Sequence, residues 1–402
     1  MNAIFSITRA SATAILAALL GVVLVGCNRG SNSSMSASAN ATPVANSGSP
    51  GTGSTAMPSD EEILRQLDEA LEYTYDHRRL SAGQGQNDQA AWQIVHGALA
   101  FKREFLVSDG MKDVSAVDYI LAGGKMKGLD LRRGDLLDEA TKRYGIKTVI
   151  AEDKMGQGHA DQWLGYLSDC HLPLDEPIVV EGEKHTIADY IDQAKRDVVE
   201  NPIQEYSWTL MALSAYYPSD YAWQAKDGSE WSIPKLVEIE LGHSLDSSAC
   251  GGTHRMVALT MAYNRHVAAG KPIEGIWKKL QERIADCVQK SKQYQNPDGS
   301  LSTNYFSRPG KSADLAVCMG SAGHVMEFLA TAMSKDELQQ PWVKRAVLDV
   351  CKTFRKTKPV DVECGALFHA AHGLVLYREK VYAPRTFAKD SAAAVTAAKT
   401  MP

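Results

Sequence analysis

Histidines are concentrated in segments of this chain that are otherwise apolar, where an imidazole needs a buried partner or a ligand. They are His96, His159, His254, His324, His369 and His372. Acidic side chains and an arginine lie near several of them along the chain. The pattern predicts one polar pocket made by His159, Asp161, Glu205, His254, Arg255, His324 and His372. For any single histidine, a core residue whose hydrogen bonds are satisfied is the alternative.

Metal binding is one chemistry that these residue types allow. Zinc takes cysteine sulfur, histidine nitrogen and carboxylate oxygen in a tetrahedron. Cys250 and His254 are four residues apart, one helical turn, and His324 is a third donor of the same kind. The sequence therefore offers Cys250, His254 and His324 as a candidate zinc set.

Acid/base cleavage of a glycan is a second chemistry, and it needs two carboxyl groups on opposite sides of a cleft. Asp161, Glu205 and Glu327 are the candidates. Beta-elimination would instead use His254 and Arg255 with Tyr206 or Tyr305. Cys250 could also act as a nucleophile with His254 as its base. Non-catalytic capture of a small anionic or sugar ligand requires none of these roles.

The elements that must position these residues alternate between charged and apolar helical segments. The charged segments are 60–82, 134–145, 187–199, 233–245, 273–293 and 335–356, and each precedes an apolar one: 88–105, 158–170, 205–217, 251–266, 321–333 and 364–378. Exposed helices carry charge and enclosed ones do not. Six such repeats predict an all-α (α/α)6 toroid, with an open solenoid as the alternative. Short β-hairpins are predicted at 177–187 and 222–233.

The amino-terminal region predicts export and lipid anchoring. A charge at Arg9, an apolar run over residues 14–25 and the motif Leu24-Val25-Gly26-Cys27 match a lipoprotein signal peptide, with Cys27 as the lipidated residue. An ordinary signal peptide with an incidental cysteine is the alternative. Asn28, which is not aspartate, slightly favours the outer membrane. The predicted organisation is a signal peptide at 1–27, a flexible tether at 28–58, the helical domain at 59–380 and a disordered tail at 381–402.

Net charge of −5 without a basic stripe argues against a nucleic-acid partner. The partners predicted are the membrane, through the lipid, and a small-molecule or glycan ligand in the domain. The function predicted is an extracytoplasmic lipoprotein that binds or processes that ligand as a lyase or hydrolase. A non-catalytic binding or scaffold lipoprotein is the competing class.

One motif suggests a family. Residues 295–301, Gln-Asn-Pro-Asp-Gly-Ser-Leu, follow a long predicted helix and resemble the QW motif of terpenoid cyclases, with Leu301 in place of the tryptophan. The resemblance implies a toroid of the cyclase and protein prenyltransferase type. Prenyltransferases of this type bind zinc through Asp, Cys and His, residue types that Asp246, Cys250 and His254 supply. The acidic DxDD and DDxxD clusters of the cyclases are missing from this sequence.

Overall fold

The computed structural model describes residues 57–77, 79–150, 156–201 and 205–387. Cys27, most of the predicted tether and residues 388–402 of the predicted tail lie outside these ranges. The helices within them are α1 (Asp60–His77), α2 (Ala91–Phe101), α3 (Ala116–Leu121), α4 (Gln162–Asp169), α5 (Ile187–Asp197), α6 (Ser207–Tyr216), α7 (Ile233–Gly242), α8 (Thr253–Ala268), α9 (Gly275–Gln293), α10 (Leu315–Ala332), α11 (Lys335–Leu338), α12 (Pro341–Thr357) and α13 (Cys364–Val381). The strands are β1 (Leu80–Ser81), β2 (Leu106–Ser108), β3 (Asp113–Ser115), β4 (Leu131–Asp138), β5 (Arg143–Thr148), β6 (Pro177–Val180), β7 (Glu183–Thr186), β8 (Ala222–Gln224) and β9 (Glu230–Ser232).

The prediction of a regular all-α (α/α)6 toroid is wrong. The structure is 55% helical with 12% strand in four small sheets, which is a mixed α/β class. The predicted charged helix at 134–145 does not form, because that stretch is the antiparallel β4–β5 pair. Beside it, β1, β2 and β3 make a three-stranded sheet. In an antiparallel pair the two strands satisfy each other's backbone hydrogen bonds, so this stretch needs no helix as a partner. The alternation of charged and apolar helices is therefore interrupted at 134–145.

Six helices nevertheless contact one another in sequence order. Contacts run from α2 to α4, α6, α8, α10 and α13, and α13 packs back against α2. We call these six the central helices. They carry few charges and are buried on most sides, as in α10, where eleven residues are buried. Charged helices such as α12, with one apolar face, pack outside them.

Both predicted hairpins are confirmed, and each leads directly into a helix. The β6–β7 pair joins Pro177 to Thr186, and the Thr186 hydroxyl accepts the backbone N–H of Asp189 as the cap of α5. The β8–β9 pair ends at Ser232, whose hydroxyl accepts the N–H of Lys235 as the cap of α7. A hydroxyl cap satisfies one of the donors that every helix start leaves free, so the change from strand to helix is sharp.

The closest helix crossing is between α10 and α13, and two glycines make it. A Cβ on Gly323 would collide with the backbone nitrogen of Ala370. A Cβ on Gly373 would lie 2.8 Å from the Cβ of Met326 and 2.9 Å from the carbonyl oxygen of Gly323. Only hydrogen fits at either position. The polar residues of both helices lie within about one turn of these glycines, so the crossing sets their spacing.

Replacing Gly323 with alanine should therefore lower the free energy of unfolding by about 2 kcal/mol, the usual cost of forcing a methyl group into a packed interior. Chemical denaturation measures it. Gly242, in α7, has open space around its Cα, so Gly242→Ala is the matched control and should change stability by under about 0.5 kcal/mol. Equal effects at the two glycines would contradict the close crossing.

Helix α10 has a second property that bears on location. Among the described residues it is the one helix long and apolar enough to cross a membrane, and 61% of it is buried inside the domain. Burial of this extent is what the core helix of a globular domain shows.

The start of the predicted tail packs on the domain, since Phe387 is buried and Arg385 pairs with Asp68 at 3.1 Å.

Candidate metal centre and cavity

Glu327 lies at the middle of a buried polar cluster between α10 and α13. Its Oε1 lies 2.8 Å from Nδ1 of His369 and 2.8 Å from Nδ1 of His372. Its Oε2 lies 3.2 Å from Nδ1 of His324. A carboxylate only accepts, so all three ring nitrogens donate to it. All four side chains are at least nine-tenths buried.

Helical spacing explains how four residues meet at one point. His324 and Glu327 are three residues apart on α10, and His369 and His372 are three apart on α13. Residues with this spacing lie on one face of a helix. The close crossing at Gly323 then brings the two faces together.

The charges in this cluster differ from their ordinary state. Burial would raise the pKa of Glu327, but His369 and the hydrogen bonds from the three histidines outweigh it and hold that pKa well below its usual 4.5. Burial lowers the pKa of His369 to about 3 in spite of Glu327. At neutral pH, Glu327 is therefore a carboxylate anion, and the imidazole of His369 beside it is neutral.

His254, at the start of α8, is the unusual member of the centre. Both of its ring nitrogens are buried, and neither has a hydrogen-bond partner among the described residues. Its ring centroid lies 4.8 Å from that of His324, 5.7 Å from that of His369 and 5.9 Å from that of His159. Burial, reinforced by those histidines, holds its pKa well below the ordinary 6.5. A buried polar group without a partner is rare and calls for an explanation.

The backbone before α8 is what aims His254 inward. Cys250, Gly251 and Gly252 are all in the left-handed region, with φ of 49°, 62° and 74°. Gly251 has no room for a Cβ because the ring of Tyr305 lies against it. The tight entry turns the first residues of α8 toward the other central helices.

His159 and Glu205 form the third part of the centre. His159 Nδ1 lies 2.6 Å from Glu205 Oε2, and the pair is mostly buried. Burial would raise the pKa of Glu205, but the hydrogen bond and charge of His159 lower it below its usual value. Trp208 packs against both His159 and His254, with its ring centroid 6.1 Å from that of His159 and 5.1 Å from that of His254.

Three groups in this centre could hold a metal ion. In each, one donor atom per residue lies within 4.8 Å of the others. The groups are Cys250, His254 and His324; His159, Glu205 and His254; and His324, Glu327 and His369. Cys250 is already engaged in an interaction within the protein, so its group is the least available of the three for an ion. The two histidine–glutamate groups do not depend on it.

The polar cluster extends beyond Glu327 through His372. His372 Nε2 lies 3.7 Å from Asp169 Oδ2 and 3.5 Å from Lys102 Nζ. Lys102 and Asp169 form an ion pair at the ends of α2 and α4. Asp169 would have a raised pKa from burial alone, and Lys102 and His372 lower it instead. This link fixes the orientation of His372 from both of its ring nitrogens.

Two residues of the predicted pocket have other partners. Asp161, at the start of α4, accepts the hydroxyl of Thr209, and burial raises its pKa. Arg255 Nη1 lies 2.8 Å from Glu240 Oε2, a buried ion pair on the far side of α8 from the cavity lining. The structure thus brings His159, Glu205, His254, His324 and His372 into one centre and leaves Asp161 and Arg255 beside it.

Sequence reasoning missed Glu240, Asp169 and Lys102. Glu240 lies in a charged helix and Lys102 at a helix end, where acidic and basic residues are ordinary, so no local pattern distinguishes them. Asp169 lies near the end of the apolar segment 158–170, and a charge at that place was the available signal.

A cavity of about 470 Å³ lies beside the centre. His254, Glu327 and His369 line one side of it, and Trp208 and Tyr166 add aromatic surface. Its other lining residues come from the middles and carboxyl ends of the central helices, including Leu99, Met261, Thr331, Leu376 and Lys380.

Comparisons of this chain with protein families, with curated proteins and with solved structures found no match.

Proposed function

We propose that the domain is a zinc-dependent enzyme of hydrolytic type, with the ion held by His159, Glu205 and His254. The observation that carries the proposal is His254, whose two buried ring nitrogens have no partner among the described residues. An ion bound there would satisfy a nitrogen that otherwise costs about 1–3 kcal/mol to leave buried and unpaired. Two histidines and one glutamate are an established ligand set for catalytic zinc.

Three protein ligands leave one position of the tetrahedron open, and zinc lowers the pKa of water bound there to near 7. The residues of this chain provide the route by which a reacting group would reach the ion. His254 lines the cavity, so a reacting group in the cavity can reach the centre.

The cavity supports a small ligand with an apolar part. Its volume, about 470 Å³, is in the range of small-molecule sites, and Leu99, Met261 and Leu376 make much of its wall. Of the three carboxyl groups considered for glycan cleavage, Glu327 alone lines the cavity. The carboxyl pair considered for glycan cleavage is therefore not assembled in the cavity, which supports metal-dependent chemistry.

Metal content tests the proposal. The purified chain should contain zinc by inductively coupled plasma mass spectrometry, and His254→Ala should lose one ion per chain. His266→Ala is the matched control, because His266 is also buried but bonds to Ser219 at 2.9 Å and to Pro272 O at 2.9 Å. It should keep the full content. Zinc-free wild-type protein after growth with zinc, or an unchanged content in His254→Ala, would rule out the proposal.

We further propose that the domain works outside the cytoplasm, held to a membrane through Cys27. The support is the order of charge, apolar run and Leu24-Val25-Gly26-Cys27 in the sequence. Cys27→Ser should move the protein from the membrane fraction to the soluble fraction, because two acyl chains supply most of the attachment. Cys364→Ser keeps the anchor and should stay with the membrane. If both variants fractionate alike, the anchor lies elsewhere.

A further inference from the structure

We infer that the centre holds two metal ions, the second bound by His324, Glu327 and His369. The inference rests on the proposed function and extends it from one ion to a pair. The second group repeats the composition of the first, two histidines and one glutamate, and shares no residue with it. Its donor atoms also lie within 4.8 Å of one another.

The distances in the second group are close to those that an ion requires. Two ligands at about 2.05 Å from zinc in a tetrahedron are about 3.3 Å apart. Glu327 Oε2 lies 3.2 Å from His324 Nδ1 and 3.1 Å from His369 Nδ1. In the metal-bound form these Nδ1 atoms would carry no proton, the proton of each neutral ring lying on Nε2 instead, and small side-chain shifts would admit the ion. His372 donates to the same carboxylate at 2.8 Å and is held in turn by Asp169, an outer partner of the kind that fixes metal ligands.

Charge balance favours a cation at this position. Glu327 is fully enclosed, and its three direct partners are imidazoles. The nearest cationic side chain in the contacts of this cluster, Lys102, reaches His372 at 3.5 Å and is itself paired with Asp169. A buried carboxylate without a directly bound cation is costly. A divalent ion in the second group would neutralise Glu327.

The two groups adjoin each other and the cavity. The rings of His254 and His324 are 4.8 Å apart between centroids, and these residues belong to different groups. His254 from the first group and Glu327 and His369 from the second all line the cavity. Paired ions of this kind act together on one oxygen-rich group, stabilising the attacking and the leaving oxygen of a displacement. The ligand class that fits such a pair is an ester of a phosphoric or carboxylic acid.

Ion counting tests the inference. Wild-type protein, stripped and then dialysed against zinc, should hold two ions per chain by mass spectrometry. His159→Ala should hold one and His369→Ala should hold one, while Asp161→Asn should keep two. A wild-type content of one ion that His369→Ala retains would overturn the second site and leave the proposed function standing. A wild-type content of zero would overturn both.

Cobalt titration of the stripped wild-type protein gives an answer that does not depend on folded variants. The visible absorbance of bound Co²⁺ should rise until two equivalents are added. Saturation at one equivalent would contradict the second site. Circular dichroism of each variant shows whether a lost ion reflects a lost ligand or a lost fold.

Discussion

Removing bound metal with a chelator should lower the free energy of unfolding by about 4 kcal/mol for each ion removed, relative to protein with free zinc at 1,000 times the dissociation constant of that site. The ion binds the folded centre and not the unfolded chain, so its binding free energy adds to stability. Without it, the Glu327 carboxylate and the His254 ring nitrogens stay buried without a cation. Thermal and urea denaturation with and without zinc measure the difference.

A variant lacking one histidine from each group, His254→Ala with His369→Ala, provides the control for this measurement. It should unfold at the same denaturant concentration with zinc or with chelator. Recovery on adding zinc back to stripped wild-type protein shows that the chelator acted on the ion alone. Wild-type stability that is indifferent to both chelator and zinc would mean that the centre is a network of hydrogen bonds.

Arg255→Ala should lower the free energy of unfolding by about 3–5 kcal/mol, the cost of breaking a buried ion pair by removing one partner. Glu240 is 1% exposed, and it also accepts the backbone N–H of Tyr206 at 2.6 Å and the hydroxyl of Ser207 at 2.8 Å. It therefore holds the start of α6, and burial raises its pKa against the effect of Arg255. The loss is in folding, so the protein that still folds should keep its zinc.

Arg65→Ala is the matched control for the Arg255 variant. Arg65 pairs with Glu62 at 2.6 Å on the surface of α1, with the arginine side chain 56% exposed. Exposed pairs contribute about 0–1 kcal/mol, so this variant should remain close to wild type. A small effect of Arg255→Ala together with loss of zinc would instead assign Arg255 to the metal centre.

The central helices could be predicted from sequence because each is a continuous apolar stretch that follows a charged segment. The region 134–145 could not, because its charged residues fit an exposed helix as well as an exposed hairpin. What decides it lies elsewhere in the chain. Gly134 on β4 and Gly145 on β5 leave space for the side chain of Gln193 on α5, whose Oε1 accepts the N–H of Asp135 at 2.7 Å. A helix there would lose this contact, and no local pattern encodes it.

The candidate site, like the fold, could be predicted from sequence only in part. Histidines on apolar segments predicted a buried polar pocket, and His159, His254 and His324 do lie together. The grouping of Asp161 and Arg255 with them assumed that neighbours in sequence share a site. In a helix, however, adjacent residues point in different directions. His254 faces the cavity, whereas Arg255 reaches Glu240 on α7, a partner that only tertiary packing supplies.

Diffraction from crystals of the domain grown with zinc, recorded on both sides of the zinc absorption edge, tests the metal centre most directly. We expect an anomalous difference peak about 2.0–2.2 Å from a ring nitrogen of His254, with His159 and Glu205 completing its protein ligands. A second peak should lie between His324, Glu327 and His369. Well-ordered density for His254 without an anomalous peak beside it would contradict the account.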